Sequence, residues 1–448
     1  MGRTVYAEEQ IKDFIDILDA SGKCNIGMIV GQQNSSSKDH VILLVPTPNS
    51  NGGEFKPDAI DEQWISQHSI QVTRMMPGGL NVIGIFVCAT PEHLKTLQPK
   101  LRQAVFAVQK HMKRKEIVKT ADKITERIVV QICAVTKKIT CRGVDVADPN
   151  SVMKPVDWKF QSSLNKWPLV TSVLHVDLSI PVTMTTGKSA LLKKFHNGLA
   201  PFLNSIQQSI STVNGELRPG QNPLDKQSKS GKSGKKGSSA SGGSRQVYEV
   251  NLFNKMVCDN YQVVKSDCSA CFHLRGSLQC RAYVNNKATV DNATQALKED
   301  AIRSLQARCD LLVDDLIQNP EDTEGSTTPG FNRATVLPRR VFTPVPGMSI
   351  DACDYMFPDE SSADCLERFS EILSLDTTTD MLDFTSETVP DIDDLSHDTD
   401  NEETIPVDDR NVGRPTSKAG RGTYIAAALS LSGAAVAALM SYLTLAND

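Results

Sequence analysis

A stretch of 23 residues without a charged side chain lies near the C-terminus, from Thr423 to Leu445. A helix of this length rises about 35 Å, and the hydrocarbon core of a bilayer is about 30 Å thick. The stretch is rich in Ala and Leu and has no charged face, whereas a core helix of a soluble protein normally keeps a polar face. It therefore predicts a transmembrane helix, with a buried Ala-rich helix of a soluble domain as the alternative.

The flanks of this stretch predict its orientation. Arg414, Lys418 and Arg421 precede it, and Asp448 is the only charged residue after it. Basic residues favour the cytoplasmic side of a membrane, so the bulk of the chain is expected in the cytosol. Residues 1–20 contain several charges and no apolar core of a signal peptide. We therefore expect a tail-anchored protein with a single span at residues 423–445.

Composition limits the remaining possibilities. With 448 residues, of which 40% are hydrophobic and 23% charged, the chain is long enough for two or three globular domains. The formal net charge of -5 argues against a general nucleic-acid binder. The 11 cysteines are scattered and odd in number, and on the cytosolic side of a membrane they are expected to be free thiols.

The first 150 residues show alternating helix and strand patterns. Helical spacing of apolar residues begins near residue 11, near residue 60 and after Pro99, which is expected to open its helix. Apolar runs between these segments predict strands, and "ERIVVQICAVTKKITCRGVDV" predicts a hairpin. Pro77, Gly78 and Gly79 form a structural turn before the strand "LNVIGIFVC". The order α-β-β-α-β-α-β-β predicts a mixed α/β domain over residues 1–150.

The rest of the chain is predicted to form four further segments. They are a second α/β unit at 151–318 with a flexible Ser/Gly/Lys linker at 218–246, an extended, Pro-punctuated segment with a short helix at 319–375, a disordered acidic stalk at 376–422, and the transmembrane anchor at 423–445.

Motifs that would indicate an enzyme are missing. Both Gly-Lys-Ser sequences lack the upstream glycine of a phosphate-binding loop, because Val182 and Lys226 stand at that position. No Gly-x-Ser-x-Gly, His-x-His or His-Glu-x-x-His sequence occurs. His68 and His175 fit packing or surface positions better than a ligand set. The sequence therefore predicts no catalytic, cofactor-binding or metal-binding residue.

One group of cysteines leaves two interpretations open. Cys268 and Cys271 form a Cys-x-x-Cys pair, with Cys258, Cys280 and His273 nearby in the sequence. A structural zinc site normally has a second close pair, which is absent here. Packing of small apolar side chains in strands is the other interpretation.

Several long segments resemble one known family. "MGRTVYAEE", "DHVILLVPTP", "DEQWISQHSIQVTRMMPGGLNVIGIFV" and "LPRRVFTPVPG" occur in order, and with the C-terminal anchor they are similar to the odorant-response-abnormal-four family. The resemblance covers almost the whole chain apart from the Ser/Gly/Lys insert and the acidic stalk.

The resemblance implies a function and a fold. Members of that family help seven-transmembrane chemoreceptors, notably odorant receptors bound for cilia, to fold at the endoplasmic reticulum and to leave it. They pair with the protease that acts on the ubiquitin-fold modifier. Their N-terminal region is similar to an MPN-type α/β domain, whose catalytic forms hold zinc with a Glu, a His-x-His and an Asp. Since His-x-His is absent here, the resemblance implies a non-catalytic pseudo-enzyme.

These arguments converge on an adaptor in the membrane of the endoplasmic reticulum, with its N-terminal bulk in the cytosol, no cofactor and no nucleic-acid partner. The expected partners are seven-transmembrane chemoreceptors, the ubiquitin-fold-modifier-specific protease and the membrane itself. Two alternatives stay open: a subunit that recruits the protease to the membrane, and a divergent MPN-type metal isopeptidase.

Overall fold

The computed structural model describes residues 3–20, 24–33, 38–49, 60–114, 124–161, 167–182, 188–225, 245–253, 270–318 and 331–388. Within these ranges helices and strands alternate, and the strands form a closed seven-stranded sheet, a five-stranded sheet and a two-stranded hairpin. The predicted mixed α/β class is therefore confirmed.

The first unit is built on the closed sheet, whose strand order is β1-β3-β2-β4-β5-β6-β7. Its strands are β1 (Thr4–Glu8), β2 (Asn25–Gln32), β3 (Lys38–Pro46), β4 (Asn81–Ala89), β5 (Glu126–Cys133), β6 (Ile139–Asp145) and β7 (Lys154–Gln161). The predicted hairpin corresponds to β5 and β6, which pair antiparallel from Glu126 and Asp145 onward.

Strand β1 closes this sheet because it pairs in parallel with both β3 and β7. Val5 lies opposite Asp39 on one side and opposite Trp158 on the other. The sequence analysis placed no strand before the first helix and ended the domain at residue 150. The structure differs on both points, since β7 (Lys154–Gln161) belongs to the first sheet.

Three helices cover the two faces of the closed sheet. The helix α1 (Gln10–Ala20) buries Ile11, Ile15 and Leu18 in one core cluster, as its helical spacing predicts. The helices α2 (Glu62–Arg74) and α3 (Pro91–Arg114) pack in a second cluster on the other face. With helices on both faces, β4 is buried along nearly its whole length, as is typical of a strand with an almost continuous apolar sequence.

The expected start of α3 at Pro99 is wrong. The helix begins at Pro91, where the missing amide proton has no helical acceptor, and Pro99 lies inside it. Pro99 is exposed, so the hydrogen bond that it removes lies on the side of the helix that water can reach.

The second unit consists of a five-stranded sheet with two helices against one face. The strand order is β12-β11-β8-β10-β9. The elements are β8 (Leu169–Val182), α4 (Lys188–Gln208), β9 (Ile210–Val213), β10 (Val247–Phe253), β11 (Ala270–Tyr283), α5 (Val290–Gln318) and β12 (Phe331–Val336). The helix α4 ends at Gln208, and the edge strand β9 follows at Ile210–Val213.

The last described elements lie between the two units. They are β13 (Arg339–Pro344), β14 (Asp351–Met356), α6 (Ser362–Leu373), which is the predicted short helix, and a 3-10 turn at Thr379–Met381. Val341 and Phe369 are buried in the same core cluster as Ile65 of α2. The segment predicted to be extended therefore contributes to the core.

Two further predicted boundaries differ from those in the structure. Leu224, inside the predicted linker at 218–246, is buried in the core of the second unit. Glu387, inside the predicted disordered stalk at 376–422, is 4% exposed. An ion pair and hydrogen bonds from backbone amides hold Glu387 in place. Contacts of this kind produce no apolar periodicity in the sequence.

The remaining part of the linker, the rest of the stalk and the predicted membrane span at 423–445 lie outside the described residues. Among the residues that the structure describes, no helix is both long and apolar enough to cross a bilayer.

Candidate functional site at the junction of the two units

The predicted turn at Pro77, Gly78 and Gly79 joins α2 to β4, and it also inserts into the second unit. The Gly78 amide donates to the carbonyl oxygen of Arg281 at 2.9 Å, and the Tyr283 amide donates to the carbonyl oxygen of Gly78 at 2.9 Å. The turn therefore pairs with the end of β11 like a short extra strand, as the bridge between Gly78 and Ala282 shows.

Both glycines are required by how closely the two backbones approach. A Cβ atom on Gly78 would lie 2.2 Å from the carbonyl oxygen of Ala296, and one on Gly79 would lie 2.2 Å from that of Tyr283. Gly79 also has a φ of +78°, which L-residues rarely adopt.

Side chains from both units hold the turn. Arg303 of α5 donates to the carbonyl oxygens of Pro77 at 2.9 Å and Leu80 at 3.2 Å. From the first unit, Gln32 donates to the carbonyl oxygen of Gly79 at 3.0 Å and accepts from the Asn285 amide at 2.9 Å. Each side chain satisfies backbone groups that the contact removes from water.

A fully buried carboxylate lies directly under the turn. Asp300, which is 0% exposed, accepts from the amides of Gly78 at 2.8 Å and Arg281 at 2.9 Å. It also forms two hydrogen bonds with the guanidinium of Arg340, at 2.7 and 2.9 Å. Asp300 thus joins the turn, β11 and β13 at one point, and its bidentate pair with Arg340 fixes their geometry.

A second buried ion pair fixes the end of the described chain. Glu387 accepts from Arg308 of α5 at 2.6 Å, and the side chains of both residues are 2% exposed. Glu387 also accepts from the amides of Gln279 at 2.8 Å and Arg340 at 2.7 Å. The three donors lie on three different elements, so residue 387 is held between them.

A third group of contacts surrounds Tyr283. Its hydroxyl donates to Asp351 at 2.6 Å, and Arg281 pairs with the same carboxylate at 3.0 Å and with Asp383 at 2.7 Å. The Arg281 guanidinium lies 3.8 Å from the centre of the Phe342 ring. Burial, together with the carboxylate of Asp351, raises the pKa of the Tyr283 hydroxyl.

We call this set of contacts the junction. It comprises Pro77, Gly78, Gly79, Arg281, Tyr283, Asp300, Arg303, Arg308, Arg340, Asp351 and Glu387. Sequence reasoning recognised only the turn. The buried charges were missed because charged residues are usually exposed. One feature of the sequence could have indicated them: Asp300, Arg303 and Arg308 lie among the apolar residues that α5 buries.

A large open cleft adjoins the junction. It lies between the end of the closed sheet where β2 finishes and the N-terminal half of α5, and its volume is about 1340 Å³. Gly79 and Gln32 line it on one side, and Asn285 and Ala296 line it on the other. The cleft is therefore formed by both units together.

Three cysteines lack the properties of an activated nucleophile. Burial raises the pKa of the Cys24, Cys141 and Cys365 thiols to about 12, so they stay protonated near neutral pH, the opposite of an activated nucleophile. No group of three or more His, Cys, Asp or Glu side chains in the described ranges could hold a metal ion.

Two of the cysteines considered for zinc lie apart on one strand. Cys280 is buried on the helix-covered face of β11, while Cys271, nine positions earlier, lies on the opposite face. A metal ion shared by these two thiols is therefore impossible in this fold. Cys258 and Cys268 lie outside the described residues.

The two histidines considered earlier have structural contacts. His68 is 2% exposed, and its ring nitrogens contact the hydroxyl of Thr47 at 3.1 Å and the carbonyl oxygen of Ile372 at 2.8 Å. His175 lies on an exposed strand position and pairs with Ser277 at 2.9 Å. His68 thus ties α2 to α6, in agreement with the packing interpretation.

Comparison with known proteins identifies the family. Residues 27–384 match the model of the family "Odorant response abnormal 4-like" (ODR4-like). This chain belongs to that family. The match includes the whole junction except Glu387, and of the two units it leaves out only β1, α1 and the first residues of β2.

Curated relatives span animals and an amoeba. The chain is 34% identical over 403 residues to the protein odr-4 homolog of Homo sapiens, with 87% of each chain covered. It is 36% identical to the homolog of Gallus gallus, with 83% of this chain and 84% of the relative covered. It is 21% identical to odorant response abnormal protein 4 of Caenorhabditis elegans, with 72% and 66% covered.

One solved structure overlaps much of the chain at low similarity. The crystal structure of UfSP from C. elegans gives a TM-score of 0.41 at 8% identity, over 83% of this chain and 56% of that chain. A similarity at this level carries no argument about function.

Proposed function

We propose that this chain is a non-enzymatic adaptor that promotes the folding, exit and trafficking of seven-transmembrane chemoreceptors, including odorant receptors, from the endoplasmic reticulum towards sensory cilia. Membership of the ODR4-like family over residues 27–384 is the observation that carries the proposal. The raised thiol pKa values and the structural contacts of the histidines support a role through binding rather than through chemistry.

Receptor exit tests this function directly. In cells that lack the chain, a tagged odorant receptor should keep glycans that endoglycosidase H removes, because it stays in the endoplasmic reticulum. Expression of the full-length chain should restore resistant glycans and ciliary delivery. Normal receptor maturation in the deletion cells would contradict the proposal.

The proposed location is the membrane of the endoplasmic reticulum, with residues 423–445 as a single span and the two units in the cytosol. A tether of this kind raises the effective concentration of the adaptor near receptor loops. Deletion of residues 423–445 should release the chain into the cytosol and leave receptors inside the cell. Full receptor delivery by the released chain would contradict the tether.

The proposed partners also include the ubiquitin-fold-modifier-specific protease, which the family resemblance implies. Affinity capture of the tagged full-length chain from cells without odorant receptors should recover this protease. If the protease is recovered only when receptors are present, it binds the receptor rather than this chain, which would contradict the proposal.

A further inference from the structure

The cleft beside the junction has the size and composition of a site for a polymer rather than for a metabolite. Its volume of about 1340 Å³ exceeds the roughly 300–1,000 Å³ of most small-molecule pockets. It is open to solvent, and its two walls come from different units. A ligand that fills it therefore contacts both units.

Side-chain amides are unusually frequent in the lining of the cleft. They belong to Gln32, Gln33, Asn81, Gln109, Gln207, Asn285, Asn292 and Gln295. Each carboxamide offers both donors and an acceptor, the same groups that a peptide backbone needs as partners. Gln32 and Gln33 hydrogen-bond at the end of the closed sheet. At the start of α5, Asn292 accepts from Thr289, and Gln295 accepts from Gln207 and donates to Glu299.

Three exposed aliphatic side chains add apolar contacts at the cleft. Val152 and Leu217 are each 73% exposed, and Ile210 is 56% exposed. Val152 belongs to the first unit, while Ile210 and Leu217 belong to the second, and all three line this cleft. Exposed apolar groups beside hydrogen-bonding groups suit the alternating side chains of an extended peptide.

The charges of the lining favour an acidic ligand. Six basic residues line the cleft, namely Arg3, Lys113, Arg127, Lys154, Arg218 and Lys298, against the four acidic residues Glu126, Asp145, Asp291 and Glu299. Arg3 pairs with Glu126 at 2.8 Å and with Asp39 at 2.5 Å, which leaves five basic and three acidic residues in the lining. Burial raises the pKa of the Glu299 carboxyl and lowers the pKa of the neighbouring Lys298 ammonium. Lys113 and Lys154 are exposed at the cleft.

The geometry points to this cleft as the binding site for an extended peptide segment of a partner protein, in which carboxylates are interspersed with apolar side chains. The inference deepens the proposed adaptor function and rests on it for the choice of a partner protein as occupant. Charge complementarity selects an acidic segment, and the aliphatic residues select apolar side chains next to it.

A peptide selection with the full-length chain tests the inference. A library of random 12-residue peptides displayed on phage is selected on the detergent-solubilised chain, and the recovered peptides are labelled for fluorescence anisotropy. We expect acidic and aliphatic residues to be enriched, with affinities that fall as salt rises. The double variant Lys113→Glu with Lys154→Glu should weaken binding at least tenfold.

Matched controls separate the cleft from general charge effects. Lys95→Glu with Lys193→Glu makes the same change of charge at exposed positions outside the cleft lining, and it should leave affinity within about twofold. Val152→Ser with Leu217→Ser removes two exposed apolar side chains without touching the core, and it should weaken the same peptides. Recovery of no peptide, or equal binding by the cleft and control variants, would overturn the inference.

Other occupants give different results. A synthetic peptide of residues 389–409, which carries nine acidic residues, could compete for the cleft. If neutralising those acids in the chain tightened binding of the selected peptides, the chain's own segment would be the occupant and the assignment to a partner would be overturned. Dimerisation that the cleft variant abolishes would overturn it in favour of a second copy.

The receptor-exit assay distinguishes failure of this inference from failure of the proposed function. If no selected peptide depends on the cleft while receptor exit still requires the chain, the inference fails and the adaptor function stands. If cleft-dependent peptides are found while receptors mature without the chain, the binding site stands and the receptor function fails.

Discussion

At the scale of single residues, Gly79 must meet two separate conformational and steric requirements at the junction. Its φ of +78° and the 2.2 Å distance from an added Cβ to the Tyr283 carbonyl oxygen are separate restrictions. The sequence predicted a turn here from the residue types alone. It could not predict the neighbouring backbone, because β11 lies about 200 positions away in the chain.

Replacement of Gly79 by Ala should therefore destabilise the protein. We expect a loss of about 2 to 4 kcal/mol in the free energy of unfolding, of which the left-handed backbone accounts for about 1 kcal/mol. Gly215→Ala is the matched control, since Gly215 has a φ of +75° and nothing within 4 Å of an added Cβ. Urea unfolding of both variants measures the difference, and equal losses would show that the close approach is unimportant.

Glu8 is a buried carboxyl whose protonation depends on pH near neutrality. It is 1% exposed, and its carboxylate accepts from the indole of Trp167 at 3.1 Å, at the start of the second unit. Burial raises its pKa from 4.5 to about 7, an effect that the Trp167 hydrogen bond only partly offsets. The folded state therefore binds a proton more tightly than the unfolded state. The stability that this proton provides is complete below about pH 4.5 and is lost as pH rises through 7.

The variant Glu8→Gln should remove this loss. Relative to the natural chain it should gain about 1 to 3 kcal/mol at pH 8 and almost nothing at pH 4.5, because one pKa unit corresponds to about 1.4 kcal/mol. The neighbouring exposed residue provides the control Glu9→Gln, for which little change is expected at either pH. Denaturant unfolding at the two pH values measures the difference, and a gain independent of pH would contradict this explanation.

The C-terminal segment illustrates the scale of elements. Acidic composition predicted disorder from residue 376, yet residues 376–388 are ordered against α5 and β13. Composition records only whether a segment has apolar residues to bury. It cannot reveal that Glu387 meets Arg308 inside the protein, since this contact requires α5, β11 and β13 to be in place already.

Neutralising Glu387 should loosen this segment. In Glu387→Gln the Arg308 guanidinium stays buried without its carboxylate, which typically costs about 3 to 5 kcal/mol. The exposed Glu367 on α6 supplies the control Glu367→Gln, expected within about 0.5 kcal/mol of the natural chain. Limited proteolysis should cut the first variant, and not the second, between residues 375 and 388. Equal resistance would contradict the role of this ion pair.

Whether the other elements could be predicted depends on how far apart in the sequence their contacting residues are. Local periodicity was enough for α1, α2, α6 and the β5–β6 hairpin. Closure of the first sheet was not predictable, because β1 pairs with strands roughly 35 and 150 positions away. The cleft was missed for the same reason, since its walls come from segments that are distant in sequence.

At the scale of the whole molecule, the junction determines whether the two units act as one body. The Pro77–Gly79 turn, β11, α5, β13 and residue 387 meet around Asp300 and Arg340, whose side chains are at most 1% exposed. The cleft depends on this arrangement, because one wall belongs to each unit. The proposed peptide site therefore requires an intact junction.

Hydrogen exchange of the full-length chain, measured by mass spectrometry in Asp300→Asn and in the exposed control Asp16→Asn, tests this coupling most directly. Asp300→Asn leaves Arg340 buried without its carboxylate. We expect faster exchange in β4 of the first unit and in α5 of the second, with the same decrease in the free energy of opening in both. Asp16→Asn should change neither, since its pair with Lys137 is exposed. Faster exchange confined to one unit, with the other unchanged, would contradict the claim that the junction makes the two units one body.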